Sequence, residues 1–208
     1  LQNDDRVVSN SVYEEFKKKM VVVSEKMDGE NSSCYTNDFH ARSLDSNNHP
    51  SRNWIKGYVA EFQWQIPEGW RFVFENCFAV HSVKYTDLPT YAFLLNIWSD
   101  ENECLSFENT VDWMNKFNLH IPKVYYLGLY DEDKIIQLWE SLDKEKVEGL
   151  VIRNVESFDY DNFQKNVLKI VRKNHVQTDE HWLSKPIEKN GLSEVSDNGY
   201  IDLQLNIH

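Results

Sequence analysis

The sequence predicts an α+β fold built on antiparallel sheets, and three observations lead there. Short β-rich runs recur along the whole chain, helical periodicity falls between only some of them, and the regular strand–helix–strand alternation of a parallel sheet is missing. The material for a core is present, since 41% of the 208 residues are hydrophobic and 13% aromatic, which excludes wholesale disorder. A chain of this length suits one domain with a small appendage.

Taken in order, apolar residues at helical spacing predict a helix over Arg6–Lys18, and the β-branched run of Met20–Ser24 predicts the first strand. Ser33–Thr36 reads as a short strand and Ser51–Trp64 as a helix. Arg71–Phe78 and Ala92–Trp98, rich in aromatic and β-branched residues, read as two further strands. A helix is expected over Phe107–Phe117, where the polar residues of Asn109-Thr110-Val111-Asp112-Trp113 lead into an apolar face. Val124–Leu127 is a strand, Asp131–Leu142 a helix, and Gly149–Arg153 and Val167–Val171 are the last strands. From about Ser184 the chain turns polar, with turns at Asn190-Gly191 and Asp197-Asn198-Gly199. The expected organisation is therefore a domain over residues 1–183, with 184–208 as an extension packed on it or partly loose.

Charge and composition narrow the function classes. The formal net charge of −12 argues against coating nucleic acid by bulk charge and leaves room for a local basic cleft. Such a stretch exists: residues 162–178 hold Lys165, Lys169, Arg172 and Lys173 with no acid. Purely apolar runs such as Met20–Val23 are far too short to cross a bilayer, so no membrane partner is expected. Cys34, Cys77 and Cys104 are odd in number and form no CxxC pair, so a reducing, cytoplasmic setting is the expectation. The dinucleotide GxGxxG, the phosphate loop GxxxxGK[ST], the zinc HExxH and the GxSxG elbow are all missing from the sequence.

Four strings carry chemistry. Lys26-Met27-Asp28-Gly29 follows the first predicted strand, so an amine sits at a pocket rim beside a glycine that permits a turn a Cβ would hinder. An amine attacks phosphorus only when neutral, a state that neighbouring positive charge or a divalent ion favours. Glu75 ends an otherwise apolar strand, where a sheet rim suits a carboxylate better than the interior. Glu148-Gly149 opens a strand, and Val167-Leu168-Lys169-Ile170-Val171-Arg172-Lys173 is a strand carrying basic residues. Each string alone also suits a solvated turn or strand end.

In this order and spacing the four strings resemble the motifs of the covalent nucleotidyltransferases, the polynucleotide ligases and messenger-RNA capping enzymes. The resemblance runs from about Val21 to Lys173. Within that superfamily the chain is most similar to the RNA ligase group that includes the second RNA ligase of T-even phages, with Phe74–Tyr85, Asn96-Ile97-Trp98 and His175–Trp182 as supporting text. The resemblance implies a ligase adenylation fold and an ATP-dependent RNA ligase. In such an enzyme Lys26 takes AMP from ATP, passes it to a 5′-phosphate RNA end, and a 3′-hydroxyl then seals the break. A DNA ligase, a GTP-using capping enzyme and a non-catalytic nucleotide- or RNA-binding subunit are the alternatives. Only 35 residues follow Lys173, too few for the OB-fold that DNA ligases and capping enzymes append.

The resemblance also implies roles. Lys26 is the nucleophile, and Lys169 contacts the α-phosphate. Glu75 accepts a hydrogen bond from a ribose hydroxyl. Glu148 holds Mg2+ (or Mn2+) directly or through water. Arg42 touches phosphate or ribose unless it is a surface residue pairing with Asp45. Asn31 lies near the leaving pyrophosphate, and Glu25 contacts the adenine edge. Where the superfamily places an aromatic that stacks on the base, this chain has Leu95, and Phe93, sharing its strand face, is the substitute. A second lysine often found two residues past Lys169 is Val171 here, with Arg172 or Lys173 as replacements. Candidate grips for RNA are the cleft, Lys17-Lys18-Lys19 and the Lys165–His175 stretch. His175 and His181, with no matched ligands nearby, read as structural.

Overall fold

Two antiparallel sheets carry the fold, and the computed structural model describes residues 10–41, 50–172 and 187–193. In chain order the elements are α1 (Asn10–Phe16), β1 (Met20–Lys26), β2 (Glu30–Cys34), β3 (Phe39–Ala41), α2 (Ser51–Ala60), β4 (Arg71–Asn76), β5 (Ala92–Trp98) and β6 (Glu103–Cys104). They continue with α3 (Phe107–Lys116), β7 (Val124–Leu129), α4 (Glu132–Ser141), β8 (Gly149–Asn154), β9 (Phe158–Asp159), α5 (Phe163–Asn166) and β10 (Val167–Val171). One sheet has the order β10-β8-β1-β7 and the other β3-β2-β4-β5-β6-β9. The α+β class with antiparallel sheets is therefore the observed one, and β5 and β10 have the predicted bounds.

β1 organises the smaller sheet because its alternate residues serve two cores. Val21 and Val23 pack with Phe16 of α1, Ile135 of α4, and Leu150 and Ile152 of β8. Val22 points the other way, into a larger cluster with Ile55 and Val59 of α2, Phe72 and Phe74 of β4, Leu94 of β5 and Met114 of α3. Ser24 and Lys26 continue the face of Val22. Aromatic rings cement the larger cluster: Phe117 stacks on Phe62 at 5.2 Å and leans on Trp113 at 5.3 Å.

Helix ends follow local chemistry. Ser106 Oγ accepts from the Asn109 amide at 3.1 Å, and Asp131 Oδ1 accepts from the Lys134 amide at 3.1 Å, each satisfying a first-turn donor. The predicted helix over Ser51–Trp64 breaks at Ala60, with a 3-10 turn at Gln63–Gln65. Among the described residues no helix is long and apolar enough to cross a membrane, and the three cysteines are free and buried.

Residues 187–193 lie against the irregular segment between β4 and β5. Bridges pair Ala79 with Lys189 and Leu88 with Leu192. Val80 N donates to Glu188 O at 2.8 Å and Leu88 N to Gly191 O at 3.0 Å.

Candidate active site

Lys26 is the last residue of β1, not a residue beyond it, because its ladder with β8 runs on through Glu25↔Leu150 to Lys26↔Gly149. That register sets its ammonium beside Glu148, the residue before β8, and the two form an ion pair with Glu148 almost buried. Gly149 is required at the crossing: a Cβ there would fall on the carbonyl oxygen of Ile170 in β10. Lys169 pairs with Val151, two residues past Gly149, so Lys169 and Lys26 share a face two strands apart. Strand spacing puts their Cα atoms ~12 Å apart, within reach of one phosphate chain between them.

The larger sheet supplies the opposite wall. Asn31, Glu75 and Phe93 stand in one row across β2, β4 and β5, in the register Asn31↔Glu75↔Phe93. The Gly29 amide donates to Glu75 Oε1 at 3.1 Å, which ties this row to the loop after Lys26. Burial pushes the Glu75 carboxyl up to about 7. The charge of Lys26 and the Gly29 amide hold it down in part, while Glu148 and Asp28 push it further up. Phe93 is 4% exposed, its ring packed among Met27, Cys77, Val83, Tyr85 and Tyr91, whereas Leu95 is partly exposed on the same face.

The turn residues of the Lys26 motif do structural work. Asp28 Oδ2 accepts from Ser82 N at 2.7 Å, Ser82 Oγ at 2.8 Å and Val83 N at 2.6 Å, and the Asp28 amide donates to Tyr85 Oη at 2.9 Å. Gly29 does not have a positive φ; its need is for space, since a Cβ would sit 2.5 Å from Asn76 O. Arg172, expected at phosphate, RNA or solvent, braces the same loop instead: its guanidinium donates to Ser82 O at 3.0 Å and to Lys144 O at 2.9 Å. Its amide donates to Glu148 O at 3.0 Å.

Other expected residues fall elsewhere. Glu25 lies on the opposite face of β1 from Lys26, where Tyr125 Oη donates to Glu25 Oε2 at 2.9 Å. Burial raises the Glu25 carboxyl, and that hydrogen bond and Lys123 lower it. Lys19, offered as an RNA grip, donates to Lys165 O at 3.1 Å and Asn166 Oδ1 at 3.0 Å, and so joins the turn between α1 and β1 to α5. Arg42, Lys173, His175 and His181 lie outside the described residues. Sequence reasoning missed Arg52, which forms a two-pronged, buried pair with Glu30 beside Asn31. It also missed Tyr85 and Tyr125, whose partners lie 57 and 100 residues away.

Among the described residues no group of three or more His, Cys, Asp or Glu forms a cation cage. A single carboxylate such as Glu148 still suits Mg2+, which takes one or two carboxylates and completes its shell with water and phosphate oxygens. The arrangement brings together an ion-paired amine, a carboxyl of raised proton affinity and a second lysine on the same sheet face as the first.

The profile of the RNA ligase family matches residues 19–171, most of the chain. The chain belongs to the RNA ligase family. Solved ligases share its fold at low identity. An archaeal ATP-dependent RNA ligase superposes with a TM-score of 0.56 at 14% identity, covering 78% of this chain and 45% of that one. The RNA ligase of Naegleria gruberi with pyrophosphate gives 0.55 at 16%, covering 82% and 55%. An Aquifex aeolicus protein described as a putative ATP-dependent DNA ligase gives 0.51 at 19%, covering 77% and 46%. This RNA ligase family member thus has the ligase nucleotidyltransferase fold and spans about half the length of those structures. No curated protein matches it by sequence.

Proposed function

We propose that this chain is an ATP-dependent RNA ligase, or the adenylylating part of one, that works through a covalent lysyl-AMP intermediate. One observation carries the reading in a chain of this family: the Lys26 amine is paired with Glu148 from one sheet, and its loop is tied to Glu75 from the other.

The amine gives up a proton to solvent and attacks the α-phosphorus in line; an N–P bond forms, the bond from that phosphorus to pyrophosphate breaks, and pyrophosphate leaves. Lys169, on the same face, balances negative charge growing on the α-phosphate. Glu75 takes a ribose hydroxyl, and Asn31, next to it in the row, contacts the leaving pyrophosphate. Arg42 remains assigned to phosphate or ribose. Exposure favours Leu95 over Phe93 as the apolar cover for adenine, with Phe93 packed as the wall beside it. Glu25 keeps the base edge that the resemblance implies and, on the opposite face of β1 from Lys26, is given no phosphate contact. Mg2+ or Mn2+, held by Glu148 directly or through water together with phosphate oxygens, neutralises phosphate charge when bound. AMP then moves to a 5′-phosphate RNA end, and an RNA 3′-hydroxyl displaces it.

The test is incubation of the full chain with α-labelled ATP or GTP and Mg2+, then a denaturing gel and sealing of matched RNA, DNA and hybrid nicks. Label from ATP on wild type but not on Lys26→Ala, with RNA sealed, is the expected result. Undiminished label on Lys26→Ala, label from GTP alone, or sealing confined to DNA overturns the corresponding part.

A further inference from the structure

Every hydrogen-bonding group of Asn190 is spent on one loop. Asn190 is 2% exposed. Its Oδ1 accepts from Tyr85 N at 2.9 Å, and its Nδ2 donates to Cys77 O at 2.8 Å and Ala79 O at 3.2 Å. Its amide donates to Phe78 O at 3.0 Å, and its carbonyl accepts from Tyr91 Oη at 3.0 Å. The next residue, Gly191, donates its amide to Tyr85 O at 2.8 Å. Residues 77–91 form no named strand or helix, so their buried polar backbone groups must find partners beyond a ladder. One carboxamide supplies the two donors and the acceptor needed at three of them.

That loop is also what seats the peptide after Lys26. Ser82 and Val83 hold the Asp28 carboxylate, and Tyr85 Oη accepts the Asp28 amide proton. A continuous path of hydrogen bonds therefore runs from residue 190 through Tyr85 to Asp28, two residues from the amine. We propose that Asn190 is a positioning residue for the reaction at Lys26, acting through Tyr85 and the 77–91 loop; this rests on the reading of Lys26 as nucleophile. A displaced amine loses in-line geometry, which costs rate at saturating ATP more than it costs nucleotide binding.

The experiment compares full-length wild type, Asn190→Ala, Tyr85→Phe, their double variant and Glu188→Gln. Glu188 anchors the same segment through a 2.5 Å pair with Lys84 whose two side chains are exposed; losing it leaves every buried hydrogen bond of Asn190, Tyr85 and Asp28 in place, so its variant is the control. Lysyl-AMP formation is followed against ATP concentration, and hydrogen exchange is read on the peptide covering residues 26–31. Asn190→Ala is expected to lower the saturated rate about ten- to a hundredfold with KM for ATP within about twofold. Tyr85→Phe lowers it too, and the double variant loses less than the product of the two single losses because both act along one path. Exchange at 26–31 quickens in Asn190→Ala and stays at the wild-type level in Glu188→Gln. A lowered melting temperature with unchanged exchange at 26–31 and an unchanged saturated rate overturns the proposal and leaves Asn190 a plain stabilising contact. If Asn190→Ala does not fold, Asn190→Ser, which is too short to reach the Tyr85 amide and keeps a small polar group in the site, and Tyr85→Phe decide in the same way. If wild type forms no lysyl-AMP, the reading of Lys26 fails, and the exchange arm alone judges the link from residue 190 to residue 28.

Discussion

Replacing Glu75 by Gln should change how stability depends on pH, by an amount the structure sets. In the folded protein burial holds the Glu75 carboxyl at about 7, against an ordinary 4.5 once the chain unfolds. Between those values the folded state keeps a proton that the unfolded state has released, so stability falls as pH rises through the window and levels off above 7. At about 1.4 kcal/mol per pH unit the gap is worth about 3 kcal/mol, a large share of the stability of an ordinary domain. Gln keeps the acceptor for the Gly29 amide and cannot ionise. Urea unfolding of wild type and Glu75→Gln at pH 5, 6, 7 and 8 gives a difference curve from which other titrating groups cancel. The variant should gain about 3 kcal/mol on wild type between pH 5 and 8, most of it before pH 7. Lys26→Ala removes a charge that holds the carboxyl down and should carry the window to higher pH. A difference that stays constant with pH would refute the reasoning, because it would mean that Glu75 titrates alike in both states.

Two further predictions concern the elements that frame the site. Gly149→Ala should cost about 1–3 kcal/mol by forcing β10 away from β8, and should slow lysyl-AMP formation by moving Lys169; thermal melts and the labelling assay read the two effects. Arg52→Met should cost about 3–5 kcal/mol by leaving the Glu30 carboxylate buried without its partner, whereas the joint change Arg52→Met with Glu30→Leu should recover most of that, as urea unfolding would show.

How much of this was legible in the sequence depended on whether the deciding contacts were local. β5 and β10 are mostly apolar runs, each interrupted by a single polar residue (Asn96, Lys169), and their bounds matched the prediction. β1 was read two residues short because Glu25 and Lys26 look like the start of a turn; pairing with Leu150 and Gly149 keeps them in the ladder. β2 was expected over Ser33–Thr36 and forms over Glu30–Cys34. Nothing in Glu-Asn-Ser-Ser asks for a strand until Phe72 to Asn76 of β4 lie alongside. β3, β6 and β9 have two or three residues each and leave no periodic signal. The Arg52–Glu30 pair and the Asn190 contacts join residues far apart in the chain, and neither partner carries a local mark.

The motif around Lys26 was visible because two kinds of requirement coincide in a few residues. Lys26, Glu75 and Glu148 bring the charge that the proposed nucleotide site needs, and any one of them could stand at a strand end for no reason. Asp28, Gly29 and Gly149 are there for geometry: one carboxylate gathers three donors from residues 82 and 83, and two glycines let strand backbones pass where a methyl would collide. Arg172 closes the circuit, since its amide meets Glu148 and its guanidinium meets Ser82, the residue whose amide and hydroxyl hold Asp28. The lysine thus ends a strand whose partner strand, following loop and final basic strand are all fastened to one another. The backbone that carries Lys26 is thus fixed on several sides before any ligand arrives, as the proposed in-line attack on phosphorus requires.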